Sequence, residues 1–236
     1  MFCVMKICGS IIPVSPDELC KNAIRAFELG ADFLEIRFDH VEPANFAKAV
    51  IAARPFKDKC IYTLRRTSQG GNFEGSGMER LNHLRDLGRE IPMMIDIELE
   101  TLEENPEIGS MMNSLLVPML VSWHDFEFTP PTSEMLDLMV KMRSYSKNNK
   151  LVTTANSLED LLRVLELYES SDKSVSLVAF CMGAVGIISR VLCALTPNCP
   201  FTYASIDQPV APGQMTIEQM KRLYNSIDKV FSFRGD

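Results

Sequence analysis

The sequence lacks several of the signatures that commit a chain to a function class. No CxxC pair occurs among its seven cysteines, at positions 3, 8, 20, 60, 181, 193 and 199, and their number is odd. Cys3 and Cys8 have no matching second pair, which argues against a structural zinc site. Scattered reduced thiols fit a cytoplasmic protein. No run of five like charges is present and the formal net charge is −7, so the clustered Lys/Arg footprint of a nucleic-acid binder is missing. A small anionic substrate is not excluded, because a local cationic pocket can form in an acidic protein. No apolar stretch reaches the length of a membrane span. The opening MFCVMKICGSIIPVSPDELC lacks the order of basic region, apolar core and cleavage site that marks a leader, and reads as strand plus turn. The phosphate-binding patterns GxGxxG and GxxxxGK[ST] are absent. Histidine is scarce, with three in 236 residues.

What is present is a core. Hydrophobic residues make up 46% of the chain, too many for disorder. Eight short apolar runs recur: 3–7, 33–38, 59–64, 92–99, 115–122, 150–155, 174–180 and 201–206. Helix-like segments lie between them. SPDELCKNAIRAFELG opens with Ser15 as N-cap and Pro16 at the first helical position, and stops at Gly30. NSLEDLLRVLELYES carries a cap at Asn156 or Ser157, and leucines 158, 161, 162 and 165 are assigned to one face. Thr216 caps a last helix, and weaker helices fit 44–53, 77–88, 131–146 and 184–195. The segment 100–114, with Pro106 and Gly109, predicts only a turn or two of helix. The strands are continuous rather than alternating, as expected of parallel strands covered on both faces. Eightfold strand–helix alternation in a chain of this length points to a (β/α)8 TIM barrel, a single domain over 1–236. A doubly wound open sheet is the alternative.

In such a barrel the loops after the strands build the active site. The polar residues at those places are therefore the candidates. Glu35, Arg37 and Asp39 alternate along FLEIRFD and are expected on one side of the strand. Charges inside an apolar strand need partners, so they form either an ion-paired plug or a polar site. Arg65 and Arg66 precede the glycine-rich TSQGGNFEGS; Asp96, Glu98 and Glu100 share another run. His124 closes LVSWH, where a satisfied core histidine and a general acid or base are both open readings. Lys150 stands at or just before a strand start. A surface lysine explains it by spacing, and an amine nucleophile would require burial. Arg190, Met182, Tyr203 and Gln214 lie near the ends of the last two runs; packing accounts for Met182 and a solvated turn for Gln214 equally well.

Taken together, these motifs resemble type I 3-dehydroquinate dehydratase, the shikimate-pathway enzyme. EIRFD is similar to its E-x-R-x-D, and SWHDFEFTP to its S-x-H-D-F-x-x-T-P. TLRRTSQGG, KLVTTANSLEDLLRVL, CMGAVGIISR and APGQM match further stretches, in order from Glu35 to Gln214. The resemblance implies a (β/α)8 fold and a syn elimination of water from 3-dehydroquinate. In that chemistry Lys150 forms a Schiff base and His124 moves the proton. Arg190 would clamp the substrate carboxylate, Gln214 would assist from the closing loop, and Glu35, Arg37 and Arg65 would hold ring hydroxyls and orient each other. Gln69, Met182, Tyr203 and Val210 are supporting positions. No metal and no cofactor is implied, and a cytoplasmic homodimer is expected. Two positions depart from the family. Gln69 replaces the glutamate that would support the histidine, with Asp125 or Glu98 as possible substitutes, and Val210 replaces a loop serine. A slower enzyme is expected. A Schiff-base aldolase and a non-catalytic binder of a related acid are the competing readings.

Overall fold

The computed structural model describes residues 5–208 and 213–232. Its strands are β1 (Ile7–Ile11), β2 (Phe33–Arg37), β3 (Cys60–Thr63), β4 (Met94–Glu98), β5 (Met119–His124), β6 (Asn148–Thr154), β7 (Ser176–Met182) and β8 (Thr202–Ser205). All pairings are parallel, and the order runs β7-β6-β5-β4-β3-β2-β1-β8. This is a nearly closed (β/α)8 barrel, and the open-sheet alternative falls. Between β7 and β8 the wall continues through side chains, with Phe180 and Tyr203 in an edge contact at 6.2 Å.

The helices follow the strands: α1 (Pro16–Glu28), α2 (Phe46–Ala53), α3 (Gly77–Arg89), α4 (Leu99–Glu104), α5 (Pro106–Ser114), α6 (Thr132–Tyr145), α7 (Leu158–Ser170), α8 (Gly183–Cys193) and α9 (Ile217–Ser232). Their starts are written in side chains. Ser15 accepts the Glu18 N–H, and Ser157 and Asp160 satisfy each other's backbone donors in a capping box. Thr216 and Gln219 do the same ahead of α9. Between strands and helices sits the apolar core, which includes Ile36, Tyr62, Ile97 and Val121.

Three expectations need correction. The first strand is Ile7–Ile11, not 3–7. ICGSI looked like a turn, yet all five residues are buried. The segment 100–114 holds two helices, because Pro106 occupies the first turn of α5 rather than interrupting one helix. On α7 the buried face is Leu161, Val164, Leu167 and Tyr168, whereas Leu158 and Leu162 are 67% and 62% exposed. That helix is apolar on two stripes, and only one meets the barrel.

Candidate active site

Polar side chains gather where the strands end. A cavity of about 260 Å³ is bordered by Ser10, Glu35, Arg37, Arg65, Gln69, His124, Lys150, Met182, Arg190, Tyr203 and Gln214, among others. The residues that the family resemblance assigns to the site are therefore, among the described residues, at one place. Val210 lies outside the described residues.

Lys150 is not at the strand start: it is the third residue of β6, beside Ser122 of β5, and it is buried. His124 is the last residue of β5, two positions further along, so the amine and the imidazole rise from adjacent strands on one face. Lys150 Nζ contacts Asp96 Oδ2 at 3.1 Å and Glu35 Oε1 at 3.3 Å, and lies 4.4 Å from the centre of the Tyr203 ring. Glu35 also accepts from Ser10 and Thr63 at 2.9 and 3.1 Å. Burial pushes the Glu35 carboxyl up, but Lys150 and Arg37 outweigh it and hold it below its ordinary value. Asp96 is likewise driven up by burial and held far down by Arg65 and Lys150.

Arg65 is the hub. Its Nη2 donates to Asp96 Oδ1 at 2.5 Å, and both terminal nitrogens reach Ser122 Oγ at 3.3 Å. Its Nη1 lies 3.1 Å from His124 Nδ1. Burial disfavours a charged imidazole, and Arg65 and Lys150 add to that, so His124 sits well below its ordinary pKa despite Asp96. Phe126 stacks on the imidazole with ring centres 5.9 Å apart.

The ion-paired plug and the polar site turn out to be one object. Asp39, expected beside Glu35 and Arg37, instead lies in a short 3-10 turn after β2. From there it grips Arg37 with two hydrogen bonds, of 2.9 and 2.7 Å, and accepts the Asn72 N–H. Gln69 borders the cavity without bonding His124, and neither proposed substitute supports the ring. Asp125 accepts the N–H groups of Glu127 and Phe128, and Glu98 is held by Arg80 at 2.6 Å. The loop carrying Gln69 folds back tightly. A Cβ on Gly71 would stand 2.2 Å from the Arg65 carbonyl oxygen, so only glycine fits. Arg190 is buried on α8 over the Phe180 ring at 4.1 Å, and burial pulls it down to about 10.

Sequence reasoning named Asp96 among the polar candidates but gave it no role, and it passed over Ser122 as a member of the site. Asp96 carried a usable signal: a carboxylate inside MMIDIEL is as costly as the charges in FLEIRFD and calls for the same partners.

The family model described as type I 3-dehydroquinase matches residues 7–230. The chain belongs to the type I 3-dehydroquinase family. A 3-dehydroquinate dehydratase of Thermococcus gammatolerans is 39% identical over 202 residues, covering 85% of this chain and 90% of its own. One from Dehalococcoides mccartyi is 37% identical over 205 residues, covering 84% and 87%. The crystal structure of 3-dehydroquinate dehydratase from Geobacillus kaustophilus has a TM-score of 0.86 at 22% identity, over 97% of this chain and 92% of its own, a likeness of fold. As a type I 3-dehydroquinase the chain is a lyase, of a family that dehydrates 3-dehydroquinate in the shikimate pathway.

Proposed function

We propose that this lyase works through a Schiff base on Lys150 and a syn elimination, as a step of aromatic amino-acid biosynthesis. Lys150 adds to the ketone of 3-dehydroquinate and the carbinolamine loses water to give an iminium. The iminium acidifies the neighbouring carbon, and His124 takes that proton. The enamine expels the β-hydroxyl, which leaves as water with the proton carried by His124. Hydrolysis of the remaining iminium consumes one water, frees Lys150 and releases 3-dehydroshikimate, so the net change is loss of one water. No step requires a metal or cofactor.

The observation that carries this reading is the pairing of a buried lysine with an imidazole on the adjacent strand, both bordering one cavity. Asp96 and Glu35 hold the ammonium in place until the substrate arrives. Arg190 binds the substrate carboxylate: a guanidinium that burial pulls down to about 10 gains from a bidentate anion. Glu35, Arg37, Arg65 and Gln214 bind ring hydroxyls, while Gln69, Met182 and Tyr203 shape the wall.

Incubation with 3-dehydroquinate and borohydride, followed by mass spectrometry, tests the proposal. A reduced adduct mapped to Lys150 is expected; turnover with no adduct on that residue would remove the imine. The enzyme is further proposed to be a cytoplasmic homodimer, with Leu158 and Leu162 of α7 and Ile188 of α8 as an apolar face for a second copy. Sedimentation that returns a monomer at micromolar concentration contradicts it.

A further inference from the structure

His124, the proton carrier of the reading above, has two ring nitrogens, and in the neutral ring only one carries the proton. Its Nδ1 faces Arg65 Nη1 at 3.1 Å. A guanidinium donates and never accepts. Arg65 is firmly charged: burial favours losing the proton, but Asp96, Glu98 and Glu35 outweigh it. Nδ1 must therefore present its lone pair to Arg65, and the proton of the neutral ring must sit on Nε2. The charged groups around the ring are Arg65 and Lys150, the carboxylates of Asp96 and Glu98, and Glu35 and Arg37 further along the wall. An imidazolium would turn a second donor toward Arg65.

A ring in this state has its only basic lone pair covered. The same Nη1 has another acceptor close by. Glu98 Oε1 lies 3.7 Å away, while Arg80 holds the other oxygen of that carboxylate at 2.6 Å. Meanwhile Nη2 is tied to Asp96, so the guanidinium can tilt without leaving its place.

We propose that Arg65 is a positioning residue that masks the basic nitrogen of His124 in the free enzyme, and that substrate unmasks it by drawing Nη1 off Nδ1 toward Glu98 Oε1 or a substrate oxygen. The proposal rests on His124 being the proton carrier, and it supplies a reason for the base to stay closed until a polyhydroxylated acid enters.

Long-range proton–nitrogen NMR on the full chain with 15N-labelled histidine reads the tautomer directly. Three histidines give three patterns, and His124→Asn identifies the relevant one. In the free enzyme at pH 7, His124 should show an acceptor-type Nδ1 and a protonated Nε2, and the pattern should persist as the pH falls through the imidazole's ordinary 6.5. Saturating 3-dehydroshikimate should move the Nδ1 resonance. A protonated Nδ1 in the free enzyme, or an Nδ1 signal indifferent to 3-dehydroshikimate, overturns the mask. Glu98→Gln should lower kcat about tenfold while KM moves less than about twofold, since it weakens the pull on Arg65 only after binding; an unchanged kcat removes the role of Glu98. If that variant does not fold, the wild-type spectra decide. Enone absorbance from 3-dehydroquinate, measured on the same sample, separates the two claims. No turnover with an acceptor-type Nδ1 overturns the dehydratase reading, whereas turnover with a protonated Nδ1 overturns the mask alone.

Discussion

Lys150 has two duties that a substitution can pull apart. It is the proposed nucleophile, and it is also the counter-charge for Glu35 and Asp96. Replacing it with methionine should end turnover and leave two buried carboxylates short of a partner, at a cost of about 3–5 kcal/mol in unfolding free energy. Lys150→Arg should also be inactive but should recover much of the stability, because a guanidinium still pairs with the carboxylates. Urea unfolding of both variants checks this, and equal stability of the two would mean that the pairing is worth little. Spacing in KNNKLVTT shows neither duty, since the lysine stands at the edge of an apolar run, and the nucleophile was reached only through the family resemblance. Its burial comes from β6 beginning two residues before it, a boundary that Asn148 and Asn149 disguise. Gln69 is the reverse case: its departure from the family pattern is plain in the sequence, and its consequence is a matter of charge. Gln69→Glu would place a carboxylate on the wall that His124 shares, which favours the protonated ring. The imidazole, now held well below its ordinary pKa, would rise, and the acid limb of the kcat/KM profile should move to higher pH. Superimposable profiles for the two proteins would show that position 69 does not reach the ring.

Secondary-structure elements were legible where one residue decides a boundary. Ser15, Ser157 and Thr216 cap their helices through the bonds their side chains predict. Boundaries set by the backbone alone were not. Helix α5 ends in a pair of turn bonds, Leu116 N–H to the Asn113 carbonyl and Val117 N–H to the Met112 carbonyl, the geometry that glycine usually serves. Here a leucine occupies the left-handed position at φ 57°, with 83% of its surface exposed. In NSLLVPM only Pro118 hints at a stop, and Pro106 and Gly109 made the segment 100–114 read as only a turn or two of helix. The same residue offers a gain. Leu116→Gly removes the clash between Cβ and carbonyl while giving up almost no burial, and should stabilise the chain by about 1 kcal/mol. Thermal unfolding measures it, and a lower midpoint would mean that the freedom glycine adds to the unfolded chain outweighs the relief.

At the scale of the whole molecule the barrel holds a charged interior that most barrels fill with branched apolar side chains. The sequence made the barrel legible because most of the strands are continuous apolar runs, and the carboxylate-bearing runs FLEIRFD and MMIDIEL mark the mouth. Concentrating charge there makes folding pH-dependent in a definite direction. Glu35, Asp39 and Asp96 are all held below their ordinary values in the fold, by Lys150, Arg37 and Arg65 against the effect of burial. The unfolded chain therefore binds more protons than the folded one as pH drops below about 4, and stability falls with it. His124 acts in the same direction over a higher range. Burial and its cationic neighbours keep it neutral in the fold, while in the unfolded chain it takes up a proton near its ordinary 6.5. The stabilising contribution of both sets is complete above pH 7. It should decline in two stages, a shallow one beginning near pH 6.5 and a steeper one near pH 4. Urea midpoints measured from pH 8 to pH 3.5 would trace both stages. His124→Asn should flatten the first and leave the second, because the carboxylates keep Arg65 and Lys150. A first stage that survives this substitution would assign it to His40, which burial also holds below its ordinary value beside Asp39 and Arg37.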